Sequence, residues 1–306
     1  MSQSQNSLFP EIIPDEVITD LEEKLVPSDH VFAITDVLAW SPKSDRHTLE
    51  HPFFALSTKR DTRMREYKSP NGKAKVTITP SSLGHPTVMD QDLLIYAATL
   101  IRWAMEDDFM GETNTPINIP SYNFLAATSR STGGNSYKNI RDMLRRLQGS
   151  MIETNIETNG VRDIESFGLI ESFKIRVTGK DEKILSFDLK LSDWLYRGIW
   201  NAKKEMLTMN QQYFKIRSSL ERRLYQIARK HCGNQTDWSI NLDTLHHKVG
   251  SESPLKRFRL NIKEAVKKQS LPDYMIIFVA EKDKVIFARR DSKAVAKVLL
   301  DQMGVS

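Results

Sequence analysis

One cysteine, Cys232, stands in a chain of 306 residues. A lone thiol excludes an intrachain disulfide and a thiolate metal cluster. An apolar run of the ~18 residues that a membrane helix requires is also missing, and the opening MSQSQNSLFPEIIPDE is polar and acidic, unlike a secretory signal. The expectation is a soluble, reduced, cytoplasmic protein that makes no membrane contact. Neither G-x-x-x-x-G-K-[ST] nor G-x-G-x-x-G occurs, and STGGNS at 131–136 has glycines but no suitably placed lysine. ATP-driven strand separation is therefore not encoded. DNA nicking would need two histidines one residue apart beside a nucleophilic tyrosine. The histidines His30, His47, His51, His85, His231, His246 and His247 never take that spacing. His246 and His247 are adjacent on a short helix, where one packs and the other faces solvent. His231 beside Cys232 sits at a helix end, where a cationic imidazole complements the dipole, and two ligands do not make a zinc site. The carboxylate pairs Asp90/Asp92 and Asp107/Asp108 lie at helix termini, where structural roles suffice. No catalytic residue, metal or cofactor is expected.

What the chain does contain is charge set apart along its length. Residues 1–60 carry 5 Lys+Arg against 10 Asp+Glu, residues 61–200 carry 18 against 18, and residues 201–306 carry 21 against 11. Such asymmetry concerns partners and steering rather than fold. A hydrophobic content of 40% supplies real cores, and the length allows roughly two domains.

Residues 1–50 are proline-interrupted and read as a loosely ordered acidic arm, with LEEKL and HVFAITDVLAW as its small elements. Ser69-Pro70-Asn71-Gly72 reads as a hairpin turn before the strand AKVTITP. DQDLLIYAATLIRWAMEDD is helical, with Leu93, Ala97, Leu100 and Ala104 on one face, widened by Leu94, Ile101 and Met105. A brief strand at Ile117–Ile119 leads into a short helix. NSYKNIRDMLRRLQG then forms a third helix, apolar at Tyr137, Ile140, Met143, Leu144 and Leu147 and basic at Lys138, Arg141, Arg145 and Arg146. The period next changes from 3.6 to 2: Phe167, Leu169, Phe173, Ile175 and Val177 alternate with more polar neighbours, Glu171 being the exception, and KILSFDLK continues the alternation.

The order then repeats. QYFKIRSSLERRLYQIARKHCG is a long helix, WSINLDTLHHKV a strand and short helix, SPLKRFRLNIKEAVKK a third helix, and YMIIFVAEKDKVIFARR a hairpin. The connector recurs too, Ile117-Asn118-Ile119-Pro120-Ser121 beside Ile240-Asn241-Leu242-Asp243-Thr244. Helix, strand, helix, basic helix, hairpin is the order of a winged helix. The fold class expected is α+β, with two tandem winged-helix domains, each a helix-turn-helix plus a β-hairpin wing.

On the wheel of the last helix, Leu255, Phe258, Ile262, Ala265 and Val266 occupy about 100°, the width of a core-facing stripe. Lys256, Arg259, Lys263 and Lys267 line the adjacent solvent side, broadened by Arg257 and Lys268, with Glu264 the one acid. A merely solvated helix mixes its signs so that i,i+4 pairs form; this one suits a polyanion that fits a helix into its major groove. Leu260 points toward the basic surface, to pack on the wing or touch a thymine methyl. The wings are 273–290 and roughly 151–190. Lys282, Lys284, Arg289 and Arg290 lie near a hairpin tip or end, placed either for phosphate and minor groove or for charged edge protection. The first wing carries acids, including Glu153, Glu157, Asp163, Glu165 and Glu171, which make it less suited to tight DNA contact and leave its sheet available to another subunit.

Three stretches resemble the replication initiator protein A family of bacterial plasmids, which is related in architecture to the tandem winged-helix initiators of iteron plasmids. They are FFALSTKRD…REY at 53–67, KVTITPSSLGHPTVMDQDLLIYAAT at 75–99 and SLERRLYQIARK at 219–230. The likeness runs from about residue 50 to residue 290; the acidic residues 11–29 fall outside it. It implies an initiator that binds repeated double-stranded origin sites, helps open the adjacent duplex and gathers host replication-initiation and helicase-loading proteins. It also implies a homodimer–monomer equilibrium and repression at the protein's own operator. Under it, Lys256 to Lys268 would read bases in the major groove, and Lys138 to Arg146 would contact the second part of the site or its phosphates. The residues alone reach DNA binding; replication comes only from the resemblance. They leave open a winged-helix repressor that never melts its operator, and a scaffold for an acidic protein. The domain map expected is an arm at 1–50, a first winged-helix domain at 51–200 for DNA contact and dimerisation, a second at 201–292 as principal reader, and a helix or tail at 293–306.

Overall fold

Alternation and helical periodicity translate directly into most of the elements. The computed structural model describes residues 43–44, 52–68, 74–106, 114–158, 161–179, 183–201 and 206–290. LEEKL, HVFAITDVLAW, the Ser69–Gly72 turn, Asp107/Asp108 and the 293–306 tail lie outside them. After β1 (Lys43–Ser44) come β2 (Arg65–Lys68) and β3 (Ala74–Thr79), antiparallel with Lys68 opposite Lys75. Then follow α1 (Gln91–Glu106), β4 (Ile117–Pro120), α2 (Ser121–Ala127) and α3 (Gly134–Gly149). The five apolar residues expected on one face of α3 are all buried. Four strands come next, β5 (Met151–Thr158), β6 (Val161–Gly168), β7 (Ile170–Val177) and β8 (Ile184–Leu191), and then α4 (Asp193–Asn201) and β9 (Leu207–Thr208), which pairs with β1. The remainder is α5 (Ser219–His231), β10 (Asp237–Asn241), α6 (Leu242–Val249), α7 (Leu255–Lys268), β11 (Tyr274–Val279) and β12 (Lys284–Arg289).

Mixed α/β architecture is thus observed, and one topology occurs twice. In the first half β4 lies between two helices and pairs with β8, giving an antiparallel sheet of order β4-β8-β7. In the second half β10 occupies the same place and pairs with β12, in the order β10-β12-β11. Periodicity alone runs 151–190 together as one wing, and the structure corrects this. β5 and β6 join β2 and β3 in a separate sheet of order β2-β3-β5-β6; only β7 and β8 correspond to the 274–289 hairpin. Alternation does not encode the partner strand, so the two hairpins look continuous across Gly168-Leu169. Glu171, the exception to the alternation, sits in a register shift between Ile170 and Ser172, the extra residue of a bulge. Its carboxylate turns to Lys190 at 2.8 Å.

The long helix expected from Gln212 onward is also interrupted. Gln211–Lys215 is a 3-10 turn capped by Asn210, and α5 begins afresh after Ser218, whose hydroxyl accepts from the Glu221 amide at 3.3 Å. Ser218 and Glu221 have the spacing of a capping box, which favours a helix start there.

All described residues belong to one compact unit, and the two halves meet through α1 and α5. α1 is buried well beyond its expected face: Gln91 to Ile101 are all inaccessible, and Ile95 packs in the core of the second half. Asp92, 0% exposed, accepts from Arg130 at 2.9 Å and from Arg222. Arg222 also donates to the carbonyls of Ile216 (2.6 Å) and Phe214 (2.9 Å). Gln226 donates to Gln91 Oε1 at 2.9 Å. Farther along, Arg65 donates to Glu252 at 3.1 Å and Leu56 packs on the core of the second half. Gly250 ends α6 in a left-handed conformation (φ +71°), and a Cβ there would lie 2.6 Å from Pro52. Both the backbone sign and the close approach require glycine at that position.

Cys232 is fully buried at the end of α5, its thiol donating to the Gln235 carbonyl. Burial, followed by the negative charge of Asp237, pushes its pKa up to about 11. The native protein should therefore resist alkylation by iodoacetamide at pH 8 and react stoichiometrically once unfolded in guanidinium. Rapid labelling of the native chain would contradict the burial.

Candidate nucleic-acid interface

α7 divides as its wheel requires. Phe258, Ile262 and Ala265 are buried, and Leu255 and Val266 pack partly against the same core. No glycine ends this helix; Gln269 takes a left-handed conformation (φ 48°) and its amide exchanges hydrogen bonds with Ile276 of β11, at 2.7 and 3.0 Å. That clasp fixes the helix against the hairpin. His246 packs edge-to-face on Phe258 at 5.0 Å and hydrogen-bonds to the Ser253 carbonyl, whereas His247 is 76% exposed.

The solvent side of α7 has fewer idle cations than its composition suggests. Arg259 is held by Asp283 through two hydrogen bonds of 3.1 and 2.7 Å. Lys267 pairs with Glu264 at 3.0 Å, and Lys268 reaches Glu221 at 3.4 Å. Lys263 lies over the Phe278 ring, 5.9 Å from its centroid, with its charge exposed. Lys256 and Arg257 are exposed and have no side-chain partner among the described residues. Leu260 beside them is 48% exposed. At the hairpin tip Lys282 and Lys284 are exposed as well. Arg289 and Arg290 are at the far end of that hairpin, donating to the carbonyls of Asn234, Leu271 and Gln269. The structure thus separates the four hairpin cations into a tip pair beside α7 and a distal pair used in the fold.

α3 shows a similar division. Lys138 and Arg145 are exposed and Arg141 is half-buried, but Arg146 turns inward. Its guanidinium grips Asp90 with bonds of 2.8 and 2.7 Å. The hydrogen bonds and charge of Asp90 raise the Arg146 pKa further. A wheel places Arg146 with the outward cations because it lies at the edge of the apolar stripe, and the buried acid that attracts it is 56 residues away. Sequence reasoning missed the neighbours of α3. A polar cleft of about 420 Å³ beside it is lined by Lys59, Arg60, Arg130, Arg146, Asn139 and Asp142, among others. Lys59 and Arg60 are exposed and come from a loop with no periodicity to announce it. The loop lies close against Gly84, where a Cβ would stand 3.1 Å from the Asp61 amide nitrogen, and Arg60 Nε donates to the Ser82 carbonyl at 3.1 Å.

Comparison with known proteins now bears on this geometry. The family described as replication initiator protein A matches residues 43–276. The chain belongs to that family. A "Putative replication protein" of Wigglesworthia glossinidia brevipalpis is 37% identical over 261 residues, covering 85% of this chain and 93% of its own length. A crystal structure of domains 2 and 3 of RctB, a selenomethionine derivative, superposes with a TM-score of 0.61 at 14% identity, covering 81% of this chain and 99% of that one. A second structure of the same two domains gives 0.54, covering 79% and 97%. At that identity the likeness is one of fold. Membership of the initiator protein A family supports a role in replication initiation, and the matched range spans α3 and most of the second half. Among the described residues no helix is long and apolar enough to cross a membrane.

Proposed function

We propose that this initiator binds repeated sites in double-stranded origin DNA through two winged-helix units. In this reading α7 is the principal reader and α3 the second contact. The observation that carries it is the exposed group Lys256, Arg257 and Lys263 on one face of α7, next to the tip cations Lys282 and Lys284. Each phosphate they meet would release counterions, and the helix itself fits the major groove. On α3 the contacts are Lys138, Arg141 and Arg145, with Lys59 and Arg60 added from the neighbouring loop. Arg146, Arg289 and Arg290 serve the fold first. Opening of the adjacent duplex would draw on binding energy spent on deformed DNA rather than on a catalysed step. A monomer–dimer exchange, repression at its own operator, and contact with host initiation and helicase-loading proteins complete the proposal.

Footprinting on the protein's own gene and its flanking kilobase, with single-strand-sensitive probing of the same DNA, tests this. Protected direct repeats beside an unwound A·T-rich tract are expected. A lone protected inverted repeat without unwinding would instead make the chain a repressor, and no protection at low salt would overturn DNA binding.

A further inference from the structure

We infer that Asp283 is a positioning residue for base recognition: it holds Arg259 so that the outer end of the guanidinium reads a guanine in the major groove. This rests on α7 being the DNA reader. An arginine side chain offers five N–H donors. Nε and Nη2 each give one to Asp283, at 3.1 and 2.7 Å. Both Nη1 donors and the second Nη2 donor remain, and the pair at the outer end is parallel and coplanar. That pair matches guanine, which presents O6 and N7 as two acceptors on its major-groove edge.

The carboxylate is itself anchored. Asp283 occupies a left-handed conformation (φ 47°) at the hairpin tip; its amide donates to the Ala280 carbonyl and its own carbonyl accepts from Leu242, the first residue of α6, at 2.8 Å. Aspartate and asparagine both tolerate that backbone region, so conformation alone does not call for a charge. The side chains of Arg259 and Asp283 are 36% and 43% exposed, so the pair adds little to stability. An acid placed among Arg257, Arg259, Lys282 and Lys284 also weakens attraction for a polyanion. A surface selected only for phosphate would do better without it. Geometry is what the acid supplies, because a free arginine must give up rotamer freedom to make a bidentate contact. Arg259 is the fifth residue of α7, in the half of a recognition helix that meets base edges.

The test starts with selection of a binding site by the full chain from a randomised duplex library, followed by substitution of each base pair in that site. With the parent, changing one G·C pair is expected to weaken binding about tenfold or more, the discrimination of a bidentate contact. Asp283→Asn keeps the backbone conformation and should reduce that penalty to a few-fold, while affinity for random duplex holds or rises. Arg259→Lys should abolish the same penalty, and adding Asp283→Asn to it should change nothing further. Thermal unfolding of both variants should match the parent. If the parent selects no site, the DNA-reading role of α7 falls and this inference with it. If a site emerges but Asp283→Asn leaves every base-pair penalty intact, or weakens selected and random duplexes equally, the inference alone is overturned.

Discussion

Asp92→Ala is expected to destabilise the fold by about 3–5 kcal/mol, the range for removing one partner of a buried ion pair, and to lower the thermal midpoint by about 10 °C. The side chain is wholly inaccessible and links Arg130 of the first half to Arg222 of the second. Burial works against the charge on Arg222, and Asp92 and Tyr213 beside it together more than offset that, leaving its pKa raised. Without that carboxylate the guanidinium, 3% exposed, keeps its two carbonyl acceptors but no counter-charge. Joint replacement, Asp92→Leu with Arg222→Met, should recover much of the loss, since a buried pair replaced by packed apolar groups is often neutral. Urea denaturation of these two variants beside the parent measures both effects. A loss below about 1 kcal/mol for Asp92→Ala would mean that water or another residue reaches Arg222.

The second large effect is on affinity. Reversing Lys256, Arg257 and Lys263 together to glutamate should lower affinity for duplex DNA by at least ~100-fold near physiological salt. The slope of log K against log salt should flatten by about 0.9 for each phosphate that the variant no longer neutralises. These side chains are exposed, so each reversal should move stability by no more than about 0.5 kcal/mol. Arg259 is left out deliberately, because its reversal would also face Asp283 with a second acid. Phe258→Ala provides the contrast: the ring is 0% exposed, and its removal should cost about 3–5 kcal/mol. Titrations at several salt concentrations, beside melting curves, separate the two classes. Unchanged affinity in the triple variant would remove α7 as the DNA-binding element.

How much of this was legible in the sequence depended on whether an interaction was local. The buried faces of α3 and α7 follow from spacing alone, as do the 274–289 hairpin and the recurrence of helix, strand, helix, helix and hairpin. Glu171 broke the alternation because it occupies a bulge, so an apparent irregularity was structural information. Long-range pairing was hidden. Asp92, Arg222 and Gln226 look like solvent-facing residues of amphipathic helices, but each is buried because its partner lies on the other half. Arg146 and Arg259 belong by wheel position to basic stripes, and only the fold brings Asp90 and Asp283 against them. The likeness of 151–168 to a wing failed for the same reason, since pairing with β2 and β3 is not written in a period of two.

The contact of residues 52–65 with residues 250–252 has a consequence for synthesis. Arg65 and Glu252 are 187 residues apart, and Pro52 rests on Gly250. At ~5–20 residues per second, a ribosome takes roughly 10–40 s to make that interval. Throughout it Leu56 has emerged without the core on which it packs, and Ile95 likewise awaits the helices of the second half. The first half therefore finishes folding only after most of the second has been translated, and a nascent chain stalled before residue 250 presents these surfaces to chaperones.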